Sequence, residues 1–226
     1  MCGRFQLSVK GKHISERFNV EVFDEKYSPS YNCAPSTNLA VITNTEPEKL
    51  SYFKWGLIPF WAKDPKIGNK LINARSESLS EKASFKTAFA KRRCLIPANG
   101  FYEWKRDGKE KTPYRIFIKS EDIFAMAGIW EIWKDAEGKA IKTFSIVTTL
   151  PNSLMKNIHN RMPVILNKND EKAWLFENDT SFLKKLLKPA DPEIMRAYQI
   201  SSKVNSPANN SPELIKEISD GQNSLF

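Results

Sequence analysis

Cys2, in Met1-Cys2-Gly3-Arg4-Phe5, becomes a 1,2-aminothiol once the initiator methionine is removed, because one residue then carries both a free α-amine and a thiol. Methionine aminopeptidases cut before small side chains, and cysteine is small enough. An amine condenses with an aldehyde to an imine, and a thiol two carbons away closes onto the imine carbon as a five-membered thiazolidine. Such a residue is a covalent trap for aldehydes. The α-amine titrates near ~8 and the thiol near ~8.5 when unperturbed, so a neighbouring group can prepare both near neutral pH. Three more polar residues stand among apolar ones: Asn73 in Leu71-Ile72-Asn73-Ala74-Arg75, Glu103 between Tyr102 and Trp104, and His159 in Asn157-Ile158-His159-Asn160-Arg161. Desolvation between two aromatic residues raises the proton affinity of a carboxylate toward that of a general acid or base. Asparagine both donates and accepts hydrogen bonds, and histidine passes protons near neutrality. Taken singly, each has an ordinary alternative: an early cysteine, a turn-forming asparagine, the exposed side of a hairpin, a helix-end cation.

The elements that must hold these residues read as a sheet-rich α+β chain. His13 to Val20 has the pattern of a short helix, followed by a loop through Tyr27, Pro29 and Pro35. Leu39 to Thr43 and Leu50 to Trp55 read as strands, and Trp55 to Trp61 as an aromatic turn. Ser78 with Glu81 resembles a capping box for a helix running to about Arg92, with Phe85 and Phe89 on one face. Phe101 to Arg106 and Tyr114 to Lys119 form a hairpin across Asp107-Gly108, and Phe124 to Trp133 with Ala140 to Thr149 form another across Asp135 to Gly138. Asn152 to Ile158 reads as a helical turn delivering His159, followed by a strand from Pro163 to Leu166. Short helices follow around Glu171 to Phe176 and Ser181 to Leu187. The expected architecture is one domain over residues 1–226, with a barrel-like β core flanked by short helices.

The 226 residues suit a single domain with a sizeable core. No apolar run is long enough to span a bilayer and no export pattern opens the chain, so a cytoplasmic, unexported protein is expected, nucleoid-associated if bacterial. Three cysteines at positions 2, 33 and 94 lack C-x-x-C spacing and suit a reducing compartment. With only His13 and His159, no zinc site is expected, and nothing calls for a metal or organic cofactor. The formal net charge of +9 points to an anionic partner, with nucleic acid leading, against the alternative of a solvated lysine-rich surface. The basic residues recur in clusters such as Lys91-Arg92-Arg93, Lys105-Arg106 and Lys184-Lys185.

Seven segments then occur in the order and spacing of one family: M-C-G-R-F, Y-N-C-A-P from Tyr31, W-G-L-I-P-x-W from Trp55, I-N-A-R-S-E from Ile72, R-C-L-I-P-A-x-G-F-Y-E-W from Arg93, I-H-x-R-M-P-V from Ile158 and V-N-S from Val204. The chain resembles the SOS-response-associated peptidase domain family, which shields abasic sites in DNA, and the resemblance covers essentially its whole length. The resemblance implies a monomer that cross-links to abasic sites in single-stranded DNA, joining the N-terminal cysteine to the sugar's open-chain aldehyde as a thiazolidine. By motif, Cys2 is the nucleophile, Asn73 holds the adduct, Glu103 moves protons, and His159 assists ring opening and reversal. Arg4, Arg75 and Arg161 would contact phosphates, which position DNA while the aldehyde supplies selectivity. Pro35 and Trp104 match positions that stack on or wedge apart bases, although hydrophobic packing explains both as well. Ser84 departs from members with a larger apolar wedge residue there. The name peptidase points at most to self-removal of Met1, which a host aminopeptidase could also perform, and weak lyase activity is a further expectation; a general protease is not expected.

Two other classes share parts of this pattern. Glutamine-dependent amidotransferases also begin Met-Cys-Gly, and Asn99-Gly100 offers a candidate oxyanion element, yet the surrounding residues do not resemble that family's glutamine pocket. A non-catalytic nucleic-acid-binding module would leave Cys2 dispensable.

Overall fold

The alternating apolar runs become strands, and the way they pair decides where the reactive residues stand. The structure is a computed structural model that describes residues 2–23, 25–120 and 123–218. Strand β1 (Phe5–Leu7) leads to helix α1 (Gly11–Phe18), then strands β2 (Ser30–Cys33), β3 (Asn38–Thr43), β4 (Glu46–Trp55) and β5 (Asn73–Arg75). Helix α2 (Lys86–Lys91) precedes β6 (Arg93–Ala98), β7 (Gly100–Asp107), β8 (Glu110–Ile118), β9 (Phe124–Lys134) and β10 (Ala140–Thr149). Helix α3 (Ser153–Lys156), the short strands β11 (Met162–Pro163) and β12 (Ile165–Leu166), helices α4 (Lys168–Phe176) and α5 (Thr180–Leu186), and β13 (Met195–Gln199) complete the elements used below.

Strands β10, β4, β3, β6 and β9 pair in a ring that closes where β9 meets β10, giving a five-stranded barrel. Closure satisfies edges that an open sheet would leave exposed. The β10–β4 contact is parallel, with Phe144 opposite Trp55, while the other contacts of the ring are antiparallel. Buried Trp55 and Phe144 stack with ring centroids 6.2 Å apart, and Phe53 meets Trp130 at 5.4 Å. Each such side chain contributes roughly 1.5–3 kcal/mol through burial. A second sheet has the order β13-β8-β7-β1-β2. Phe5 of β1 joins it to the barrel by packing on Trp55 at 5.4 Å.

Gly56 turns the chain out of β4 at φ +127°, a conformation costly for any other residue, and its position lets the backbone of Gly68 approach closely. The loop so folded runs back to β5, and Trp55 Nε1 donates to the Ile72 carbonyl at 2.8 Å. Arg93 is buried at 1% exposure and donates to the carbonyls of Phe89, Ala90, Trp174, Leu175 and Glu177, capping the C-terminal ends of both α2 and α4.

Both expected hairpins form, with Asp107 paired to Glu110 so that the turn centres on Gly108 and Lys109. The helix from Ser78 does not. A short 3-10 turn over Ser76–Ser78 is followed by further turns, and α2 begins at Lys86, because Glu81 N donates to the Ser78 carbonyl rather than to a capping side chain. Phe85 and Phe89 are nevertheless both buried. The loop through Tyr27 to Pro35 contains β2, and the expected strand at Pro163 to Leu166 divides at Val164, β11 pairing with β10 and β12 with β9.

Candidate active site

Cys2 lies next to Glu103 because β1 and β7 are antiparallel, with Phe5 opposite Phe101, and the ladder continues as Tyr102 N donates to the Arg4 carbonyl at 3.0 Å. Asn73 arrives from the barrel. Strand β5 runs parallel to β10, placing Asn73 opposite Ile146, and β11 pairs with the same end of β10 through Thr148 and Thr149. The segment before β11 carries His159, whose backbone N–H donates to the Met155 carbonyl at the end of α3. Asn152 caps that helix, its side chain accepting from Met155 N at 2.9 Å. The helical turn expected to deliver His159 is therefore present, and the site lies at the junction of the two sheets.

Asn73 Nδ2 donates to the Cys2 carbonyl at 2.8 Å. Its Oδ1 is buried and has no hydrogen-bond partner among the described residues, so an acceptor stands ready beside the first residues of the chain. Cys2 is fully buried, and burial, reinforced by the negative charge of Glu103, raises its thiol pKa well above the usual range. The thiol is therefore held protonated and unreactive in this state. Glu103 is 2% exposed, and burial pushes its carboxyl up to about 7. The expected desolvation is present, although in an extended strand Tyr102 and Trp104 point to the opposite face and pack with Ile200 and Val204, so burial at the sheet junction supplies it.

His159 is half-buried, and burial, with the charge of Arg106 as a smaller cause, lowers its pKa so that the neutral ring prevails near neutral pH. His159 Nδ1 lies 3.1 Å from the Arg161 backbone N–H and 3.3 Å from the Arg161 carbonyl, and the shorter contact, with the N–H donating, favours the tautomer whose proton is on Nε2. Nε2 faces Glu103 Oε2 at 3.9 Å, longer than a hydrogen bond. Among the described residues no three His, Cys, Asp or Glu side chains stand close enough to hold a metal ion.

The residues expected to touch DNA stand around this centre in different conditions. Arg75 is exposed, and Pro35 is half-buried beside Ser36, which has φ +68°. Arg4 is half-buried, its Nη1 donating to Asn32 Oδ1 at 2.9 Å and to the Val204 carbonyl at 3.1 Å. Arg161 is 8% exposed, and its two terminal nitrogens grip both oxygens of Glu77 at 2.6 and 2.9 Å. Trp104 packs near Tyr102, Ile200 and Val204, and its Nε1 donates to Asn205 Oδ1 at 2.7 Å. Ser84 is half-buried. The proposed oxyanion element is occupied otherwise: Asn99 Oδ1 accepts from Ser8 N, and Asn99 Nδ2 donates to Ser8 Oγ.

Sequence reasoning missed Asn32, whose Nδ2 contacts the carbonyls of Val204, Ser206 and Asn209 while its Oδ1 holds Arg4. It also missed Asn205 and Glu77. Their signal was present, since Y-N-C-A-P, V-N-S and I-N-A-R-S-E each contain one of these residues. What was lacking was the partner of each: Arg4 for Asn32, Trp104 for Asn205 and Arg161 for Glu77.

Residues 1–207 match the family model described as SOS response associated peptidase. The chain is 53% identical over 222 residues to "Abasic site processing protein YoqW" of Bacillus subtilis, covering 96% of this chain and 99% of that protein. It is 32% identical over 228 residues to "Abasic site processing protein HMCES" of Xenopus tropicalis, covering 86% of this chain and 68% of that protein. A crystal structure of a protein from Bacteroides thetaiotaomicron has the same fold, with TM-score 0.90, 33% identity, and coverage of 96% of this chain and 100% of the other.

Proposed function

The chain belongs to the SOS response associated peptidase family, and we propose that it processes abasic sites in single-stranded DNA by covalent capture through Cys2. The observation that carries this reading is the convergence of Cys2, Asn73 and a buried Glu103 whose carboxyl titrates at about 7. Relatives named as abasic site processing proteins support the substrate class.

After removal of Met1, the Cys2 amine attacks the aldehyde carbon of the ring-opened sugar to form a carbinolamine. Glu103, protonated below about pH 7, donates a proton to the departing hydroxyl, so water leaves and an iminium forms. The Cys2 sulfur then bonds to that carbon, its proton passing to the Glu103 carboxylate, and the iminium nitrogen takes the carbon–nitrogen electron pair. The products are a thiazolidine and one water. Asn73 holds the Cys2 backbone, and its idle Oδ1 accepts an N–H of the reacting amine. His159, with its Nε2 proton toward Glu103, serves proton transfer at the sugar ring oxygen during opening and reversal.

Exposed Arg75 meets a backbone phosphate, while Arg4 and Arg161 do so still held by Asn32 and Glu77. Pro35 and Trp104 contact neighbouring bases, which favours unpaired strands because unstacking a duplex costs a few kcal/mol per step, roughly. The protein acts as a cytoplasmic monomer, with residues 1–226 forming one domain. Self-removal of Met1 and weak strand-cleaving lyase activity complete the reading.

The test uses Met1-processed protein and a single-stranded oligonucleotide carrying one abasic site, run on a denaturing gel beside undamaged DNA and Cys2→Ala. A slow band that needs both Cys2 and the lesion is expected. A band that persists in Cys2→Ala, or none from protein whose intact mass proves loss of Met1, overturns the reading.

A further inference from the structure

Glu77 lies in the 3-10 turn that follows β5, and Arg161 lies two residues after His159. Both terminal nitrogens of Arg161 are bound by the Glu77 carboxylate, at 2.6 and 2.9 Å, and one of them also donates to the Thr148 carbonyl at 2.6 Å. Thr148 is the residue of β10 that pairs with Arg75 of β5 on one side and with Pro163 of β11 on the other. The bidentate pair therefore fastens the segment carrying Asn73 to the segment carrying His159, across the end of a barrel strand. Bidentate geometry fixes the orientation of a guanidinium as well as its distance.

This fixation reaches the imidazole through one hydrogen bond, from the Arg161 backbone N–H to His159 Nδ1 at 3.1 Å. A neutral histidine carries one ring proton, and the nitrogen that accepts a hydrogen bond is the one without it. Were the Arg161 backbone to shift, the Arg161 carbonyl, 3.3 Å from the same nitrogen, would reward the opposite tautomer by accepting a proton from Nδ1. Two tautomers thus compete at one backbone position.

We propose that Glu77 is a positioning residue for His159: by clamping Arg161 it selects the tautomer whose proton sits on Nε2, toward Glu103. The consequence for abasic-site capture rests on the functional reading above, whereas the tautomer itself does not. Glu77 has its carboxyl held below the ordinary range by the Arg161 guanidinium, so the clamp persists through the pH range where Glu103 titrates. The Thr148 carbonyl keeps a hold on Arg161 when Glu77 is truncated, which favours a folded variant.

The chain has two histidines, His13 on the exposed side of α1 and His159, so histidine nitrogens labelled with a magnetic isotope give two resolvable sets of signals, assigned with His13→Gln. The wild type should show His159 with protonated Nε2 and an accepting Nδ1. Glu77→Ala should move both nitrogens toward averaged values and slow adduct formation about tenfold, part of the 10²–10⁴ range that general acid–base groups supply. Glu77→Gln, which keeps one acceptor and the side-chain shape, should fall between them and serves if Glu77→Ala does not fold. Wild-type nitrogen shifts in a folded Glu77 variant overturn the proposal, whatever the cross-linking rate. Displaced shifts without any cross-linking by the wild type uphold the clamp and defeat the functional reading instead.

Discussion

Replacing Glu103 with glutamine should stabilise the protein at alkaline pH while disabling it. The carboxyl is 2% exposed, and burial moves it from its ordinary 4.5 to about 7. At 1.36 kcal/mol per pKa unit, that difference corresponds to about 3 kcal/mol. The sign follows from proton binding. The folded state holds the Glu103 proton more tightly than the unfolded state, so its stabilising share is complete below pH 4.5 and is lost as pH rises through about 7. Glutamine never ionises and avoids that loss. Denaturant melts of wild type and Glu103→Gln should therefore nearly coincide below about pH 4.5 and separate as pH rises from there to about 7. At the alkaline end they should diverge until the variant is more stable by up to about 3 kcal/mol, or roughly 6–10 °C in Tm for a chain of this size. Titrating groups remote from Glu103 cancel in the difference, while His159, 3.9 Å away, does not. The same variant should form the abasic-site adduct about 100-fold more slowly. A stability difference that stays flat from pH 5 to 9 would refute the assignment of Glu103 as a buried acid poised near neutrality.

Arg93→Met removes a buried guanidinium from five carbonyl acceptors and should cost about 3–5 kcal/mol, with a large fall in Tm, while leaving adduct formation intact at low temperature. A melt within about 1 kcal/mol of wild type would show that the helix-end carbonyls find other partners. Asn73→Ala loses the bond to the Cys2 carbonyl and the waiting acceptor, so single-turnover adduct formation should slow by about 10–100-fold with undamaged-strand affinity retained; an unchanged rate would remove Asn73 from the chemistry.

The four candidate residues could be picked out of the sequence because the chemistry proposed for them is carried by residue type and by immediate neighbours, and the fold brings them together. Glu103 shows the limit of that reading: it is buried as expected, but in an extended strand its flanking Tyr102 and Trp104 face the other side, so its desolvation comes from how the sheets pack rather than from its neighbours in sequence. The hairpins β7–β8 and β9–β10 were legible for a similar reason: alternation and turn residues lie within one short stretch. The helix expected from Ser78 failed because a capping pattern states only a local preference, and burial of Leu79 and Phe85 on a folded-over turn outweighed it.

Only the tertiary structure decided how distant segments meet. The barrel closes through the parallel contact of β10 with β4, and β13 becomes a strand because β8 offers it an edge. Arg161 is expected from its motif to meet a phosphate, yet Glu77 occupies its fork; Asn32 lies in a stretch that reads as loop, yet it ties Arg4 to the V-N-S segment. The sequence by itself determined which groups are candidates for aldehyde capture and proton transfer, because those capacities belong to residue types. The burial that shifts their proton affinities, and their convergence at one point, came from the fold, because burial and hydrogen-bond pairing depend on residues brought together from far along the chain.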